Sequence, residues 1–219
     1  MKKNITAADL LVYMIMAIPP IYLALHYHSL PQTIPLHFNF HGADGYGDKS
    51  QSWVFISIIT LVSFAMYGLL KNITSIEPKR VAASSASLFH KIAVMMVVFL
   101  SIVEIIILNA MQGSMFSLEK LLLPCMGIFF SLLGNLMLNI KPNYFVGIRV
   151  PWTLENDDNW RKTHRLAGKL WFAGGIIAAI TAILLPYKYA FICFIAIVSV
   201  ITIIPVIFSY QYFRKHQTS

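Results

Sequence analysis

The sequence predicts an all-α integral membrane protein. Six transmembrane helices, cytoplasmic N- and C-termini, one short strand-like extracellular loop and one structured cytoplasmic loop are expected. Three observations lead there. Of the 219 residues, 58% are hydrophobic and 12% are charged, where a soluble domain carries about a quarter charged. Six segments reach or approach the roughly 20 mostly apolar residues that span a bilayer. With the N-terminus placed inside, Lys and Arg divide fourteen to three, only Lys49, Lys120 and Lys188 falling outside, as the positive-inside rule requires. The formal charge of +8 is then a topology signal, and no direct nucleic-acid contact is expected.

The expected spans are Ala8–Tyr27, Ser52–Leu70, Ile92–Met111, Leu118–Leu138, Leu166–Leu185 and Tyr189–Phe213. Lipid offers no partner to exposed amides, so each must be helical. A single membrane domain over 1–219 is expected. Its front part, 8–71, carries two spans and the outer loop; a four-span part, 92–213, carries the inner loop. Lys2 and Lys3 before the first apolar run resemble a signal peptide, but the run continues through Pro19-Pro20 with no small-residue cleavage site. It reads as a retained span, kinked at the prolines. Cys125 and Cys193 sit in apolar runs and read as small hydrophobes.

The outer loop runs from Leu30 to Trp53. Leu36, Phe38 and Phe40 alternate with His37, Asn39 and His41, the period of a strand with one apolar face. Gly42, Asp44-Gly45 and Gly47 then supply turn chemistry, with Lys49 and Trp53 anchoring the loop to the second span. No metal site is expected. His37 and His41 lie ~13 Å apart in a strand, and His26 and His28 complete no tight ligand pattern. His41, Asp44 and Asp48 around the turn are the weak candidates.

Glu104 lies within the third span. A carboxylate there is expensive and faces the bundle interior with a partner. The reading adopted is a neutral acid in an interhelical hydrogen bond, with Asn109, Asn135 and Asn139 as polar neighbours; a proton step or a ligand contact is the alternative. At the end of the fourth span Asn135 and Asn139 share a helix face, Pro142 stops the helix near Ile140, and Lys141 reaches the headgroups.

The longest polar interruption follows, NLMLNIKPNYFVGIRVPWTLENDDNWRKTHRLAGKLW from Asn135 to Trp171. Gly147 permits a left-handed conformation, and Pro151 pushes Val150 toward an extended one. Thr153 is the expected N-cap of a helix starting near Leu154, with Glu155, Asp157 and Asp158 complementing its dipole. Along that helix Trp160, His164, Ala167 and Trp171 share one face, and Arg161, Arg165 and Lys169 another. Two readings stand side by side. Either the tryptophans sit among headgroups and the basic stripe on anionic lipid, or Asn143, Arg149, His164 and Arg165 converge on a pocket for a ligand or protein segment.

That stretch resembles the signature of the SdpI family of bacterial membrane proteins: a Gly-Asn, then KPNxxxGIRxPWTL, then WxxTHRxxG. The outer LPQTIPLHFNFHGADGYGDK resembles the domain of unknown function that fronts many members. The resemblance implies a multi-pass protein of the bacterial plasma (inner) membrane giving immunity to a secreted peptide toxin outside, and holding a transcription repressor inside. It implies site residues His37, Asn39, Gly42, Asp44 and Lys49 on the outer face. On the inner face it implies Asn135, Lys141, Pro142, Asn143, Gly147, Arg149, Pro151, Trp152, Thr153, Trp160, Thr163, His164, Arg165 and Gly168. The preferred function is therefore non-enzymatic immunity and signalling. One alternative is an enzyme acting on a phosphorylated lipid headgroup, with His164 as acid or base. The other is a small transporter using Glu104. No HExxH, GxSxG or phosphate-cradling loop occurs, and no cofactor is expected.

Overall fold

A computed structural model describes residues 6–39, 42–76 and 86–217. Its long helices are α1 (Ala7–His26), α2 (Gln51–Lys71), α4 (Ala86–Met111), α5 (Met115–Met137), α7 (Asp157–Leu184) and α8 (Tyr187–Gln217). Two four-residue helices, α3 (Ile73–Ile76) and α6 (Pro151–Leu154), a 3-10 turn (Tyr27–Ser29) and one hairpin, β1 (Thr33–Asn39) with β2 (Gly42–Asp48), complete the order of the described residues. Six helices among the described residues are long and apolar enough to cross a membrane. Many of their large apolar side chains face outward: Leu25 and Leu184 are each 75% exposed and Leu61 67%. Only 17% of the most apolar window of α8 is buried within the chain. In water such faces would drive aggregation; in a bilayer they meet lipid.

The chain divides into two compact units, Met1–Leu70 with Ala93–Leu122, and Lys71–Ile92 with Leu123–Ser219. In the first, α1 begins with a capping box. Thr6 Oγ1 accepts from the Asp9 amide at 3.2 Å, and Asp9 Oδ2 accepts from the Thr6 amide at 2.7 Å. These bonds satisfy backbone donors that a helix start leaves unpaired. The helix continues through Pro19 and Pro20. Leu23, Leu30, Ile34, Ile56, Leu108 and Met111 form a core cluster that seats the foot of the hairpin, Ile34 being fully buried.

The second unit is built on a close helix crossing. A Cβ added at Gly134 of α5 would lie 2.4 Å from the backbone nitrogen of Phe172 in α7, and one at Gly175 of α7 would lie 2.4 Å from the Ser131 nitrogen. Cβ atoms at Gly127 and Gly168 would meet facing backbone at 2.6 and 2.8 Å. Lipid tails are as apolar as leucine, so spans associate through this kind of small-residue contact. α7 also joins α8: Trp171 donates its indole N–H to the Ile201 carbonyl at 3.1 Å. Leu123, Ala178, Ala182, Ala190 and Phe194 pack together below.

Three expectations are corrected here. The glycine-rich segment after Asn39 is not a turn but the second strand. Gly45 opposes His37 so tightly that a Cβ would come within 3.0 Å of His37 Cβ, and a Cβ at Gly47 would strike Gln51 and Leu36. These glycines allow close approach. Register shifts flank His37, which leaves Leu36 40% exposed and breaks the simple alternation. Asn139 lies past the end of α5, so it shares no helix face with Asn135. The helix before the fifth span starts at Asp157, and its cap is Asn156, whose side chain accepts from the Asp158 and Asn159 amides.

Candidate functional site

On the hairpin, three of the expected outer residues come together. His37 Nδ1 lies 2.5 Å from Asp44 Oδ1, and Asn39 donates to Asp44 Oδ2 at 2.8 Å. One carboxylate thus ties two side chains of β1 across to β2. The His37 hydrogen bond holds the Asp44 carboxyl below its usual 3.8. His37 itself remains 72% exposed, so the cluster presents a polar face outward. Gly42 pairs with Asn39 through the backbone register. Lys49 sits apart at the hairpin base, its Nζ 5.1 Å from the Tyr27 ring centroid and its amide bonded to Gln32. Asp48 Oδ1 is used by the Ser50 amide at 2.8 Å. His41, the third weak metal candidate, lies outside the described residues. Among those described, no group of three His, Cys, Asp or Glu side chains is placed to hold a metal.

The inner block folds as a stapled loop. Asn143 is 1% exposed: its Oδ1 accepts from the Phe145 and Val146 amides, and its Nδ2 donates to the Lys141 and Val146 carbonyls. Gly147 has φ +121°, a region L side chains avoid, and a Cβ there would lie 2.4 Å from His164 Nε2. That contact exists because the next amide, Ile148 N–H, donates to His164 Nε2 at 2.9 Å. His164 Nδ1–H donates to the Trp160 carbonyl at 2.8 Å. The two bonds select the neutral imidazole with its proton on Nδ1. The ring is 1% exposed and stacks on Trp160 with centroids 4.0 Å apart. Trp160 is fully buried and donates to the Ile140 carbonyl at 2.8 Å. The expectation of tryptophans among headgroups is therefore corrected for Trp160: its N–H is spent inside, closing the loop onto the end of α5.

Thr153, expected to cap a helix, turns back instead. Its hydroxyl donates toward the Ile148 and Val150 carbonyls and accepts the Val150 amide. Val150 is extended ahead of Pro151, with φ −99° and ψ 154°, as the proline requires. Trp152 donates to Ser209 Oγ at 2.7 Å. Asn159, which sequence reasoning passed over, donates to the Ser209 and Trp152 carbonyls and accepts from Thr163 at 3.0 Å. Its signal was available: Asn159 and Thr163 are four apart, on one helix face. Asp9 was missed too, although Thr6-x-x-Asp9 is a capping-box pattern.

Of the four residues expected to converge, His164 and Arg165 line one cavity, and Asn143 and Arg149 do not. A cavity of about 400 Å³ is lined by Leu138, Ile140, Asp158, Arg161, Lys162, His164 and Arg165. Arg149 donates to the Tyr144 carbonyl and, like Asn143, belongs to the loop. Asp158 pairs with Arg161 and Lys162, each at 3.1 Å, and accepts from Tyr212. Asn135 and Lys141 are exposed. Glu104 is buried and accepts from Thr60 Oγ1 at 3.0 Å, an interhelical hydrogen bond as expected. Of its expected neighbours, Asn109 bonds instead with Tyr22 and the Ile105 carbonyl.

Comparison with known proteins follows this division of the chain. Residues 139–209, the stapled loop with most of α7 and α8, match the SdpI/YfhL protein family. Residues 14–61, most of α1, the hairpin and the start of α2, match a domain of unknown function, DUF1648. Over 215 residues the chain is 25% identical to the immunity protein SdpI of Bacillus subtilis (strain 168), covering 98% of each. No solved structure matches. The chain is thus a multi-pass protein of the bacterial inner membrane in which residues 139–209 are similar to the SdpI/YfhL protein family and a DUF1648-like segment precedes them.

Proposed function

We propose that this chain is a membrane immunity protein, raising its host's tolerance to a secreted, membrane-active peptide toxin without catalysing a reaction. One observation carries the reading: the similarity to an immunity protein runs through 98% of both chains and includes the hairpin and the inner loop alike. In this reading the termini are cytoplasmic, the His37–Asn39–Asp44 face meets the toxin outside, and the stapled loop offers its exposed cations to anionic lipid or to a cytoplasmic regulator. The charge distribution supports that orientation.

The geometry also weighs against His164 as an acid–base catalyst. Both ring nitrogens are already hydrogen-bonded within the protein, so proton exchange with a substrate would first have to break the loop. The test is survival of a sensitive bacterium expressing the full chain, followed as killing curves across a panel of membrane-active peptides. Higher survival than the empty vector with at least one peptide is expected, reduced by D44N at equal membrane level. Killing curves unchanged across the panel would overturn the reading.

A further inference from the structure

The first unit holds a column of polar side chains that the immunity reading leaves unused. Thr60, Ser63 and Tyr67 stand at i, i+3 and i+7 of α2, one face of the helix. At the upper end Thr60 donates to Glu104 of α4. At the lower end Tyr67 donates to Asp9 of α1 at 2.5 Å. Both carboxyl groups are 1% exposed, Tyr67 is also 1% exposed, and Ser63 is 2% exposed. Between them, Ser63 Oγ is the one buried side-chain oxygen or nitrogen among the described residues with no hydrogen-bond partner.

Two carboxyl groups in one membrane bundle are costly, and an unsatisfied buried hydroxyl adds to the cost. A hydroxyl of this kind is ordinarily satisfied by ordered water. From Thr60 to Tyr67 the helix rises about 10 Å. Hydroxyls and one or two waters, at ~2.8 Å per link, bridge that distance.

We propose that this column is a proton path serving Glu104. The Glu104 carboxyl gives its proton to water held at Ser63 and Thr60. That water passes a proton to the Tyr67 hydroxyl, which releases its own to the Asp9 carboxylate. Asp9, at the first turn of α1, is hydrogen-bonded to the hydroxyl of exposed Thr6 at 2.7 Å, and the proton passes through that hydroxyl to the aqueous face. Each hydroxyl accepts one proton and gives up one, so the net change is one proton moved from Glu104 to solvent, leaving a carboxylate. The reverse sequence reloads it. Water is the sole co-reactant. The titratable groups along the column are Asp9, Tyr67 and Glu104, with Tyr13 against Tyr67 at a ring separation of 5.8 Å.

The test is infrared spectroscopy of the full chain in lipid vesicles transferred to D2O. The protonated Glu104 C=O band is assigned by its loss in E104Q, which keeps an acceptor for Thr60. The band is expected to shift by deuterium exchange within minutes. In S63A it should exchange about tenfold or more slowly, as loss of one hydrogen-bonded link implies, while S63T restores the wild-type rate. No protonated Glu104 band, a band that stays unexchanged for a day in wild type, or S63A exchanging at the wild-type rate would overturn the proposal. This test is independent of toxin tolerance, so either reading can fail alone.

Discussion

Gly147 and His164 impose two requirements at one place. The backbone at 147 needs positive φ, and the space beside it is filled by the imidazole that receives the Ile148 amide. A Gly147→Ala substitution should combine backbone strain with a clash and cost on the order of 2–4 kcal/mol. His164→Ala should strand the Ile148 amide and open a void under Trp160, at a similar ~2–4 kcal/mol. Thermal unfolding in detergent, read by tryptophan fluorescence, checks both; unchanged midpoints would contradict the staple. On the hairpin, Asp44 has its acid form disfavoured by the His37 bond. A carboxyl whose pKa is depressed by folding stabilises the fold above its unfolded value, and the contribution is lost as pH falls through the folded one. The contacts between His37 and Gly45 should therefore persist at neutral pH and weaken below about pH 4, the Asp44-dependent part being absent in D44N. Cross-strand NMR contacts measured from pH 6 to pH 3 test this.

At the scale of elements, the α5–α7 crossing depends on backbones too close for any side chain. Gly134→Leu should separate the helices and prevent a stable bundle, seen as aggregation on gel filtration, whereas Gly68→Ala, with open space around it, should behave as wild type. Much of this layer was legible beforehand. Helix positions followed from apolar length, and the left-handed Gly147 and extended Val150 followed from residue type alone. The second strand was not legible, because glycine-rich segments signal turns locally and become strands only when a partner presses against them, as His37 does at Gly45. The cap was misplaced for a related reason. Thr153 and Asn156 are both favoured caps by chemistry, Asn the more so, and the Ile148 carbonyl takes up the Thr153 hydroxyl, leaving Asn156 to cap. The inner motif's polar residues looked ligand-facing because their types form specific contacts. Most of those contacts are with their own loop, a distinction that needs coordinates.

At the scale of the whole molecule, the proposal to test is the topology drawn from the distribution of Lys and Arg: the hairpin outside, the stapled loop and both termini in the cytoplasm. Immunity to a secreted toxin requires the hairpin outside. Single cysteines at Tyr46 and Glu155, each in a chain with Cys125 and Cys193 replaced by serine, can be labelled in intact cells with a membrane-impermeant maleimide. The account predicts rapid labelling at position 46 and none at position 155 until the cells are permeabilised. Equal labelling of both positions in intact cells, or labelling of 155 alone, would contradict it.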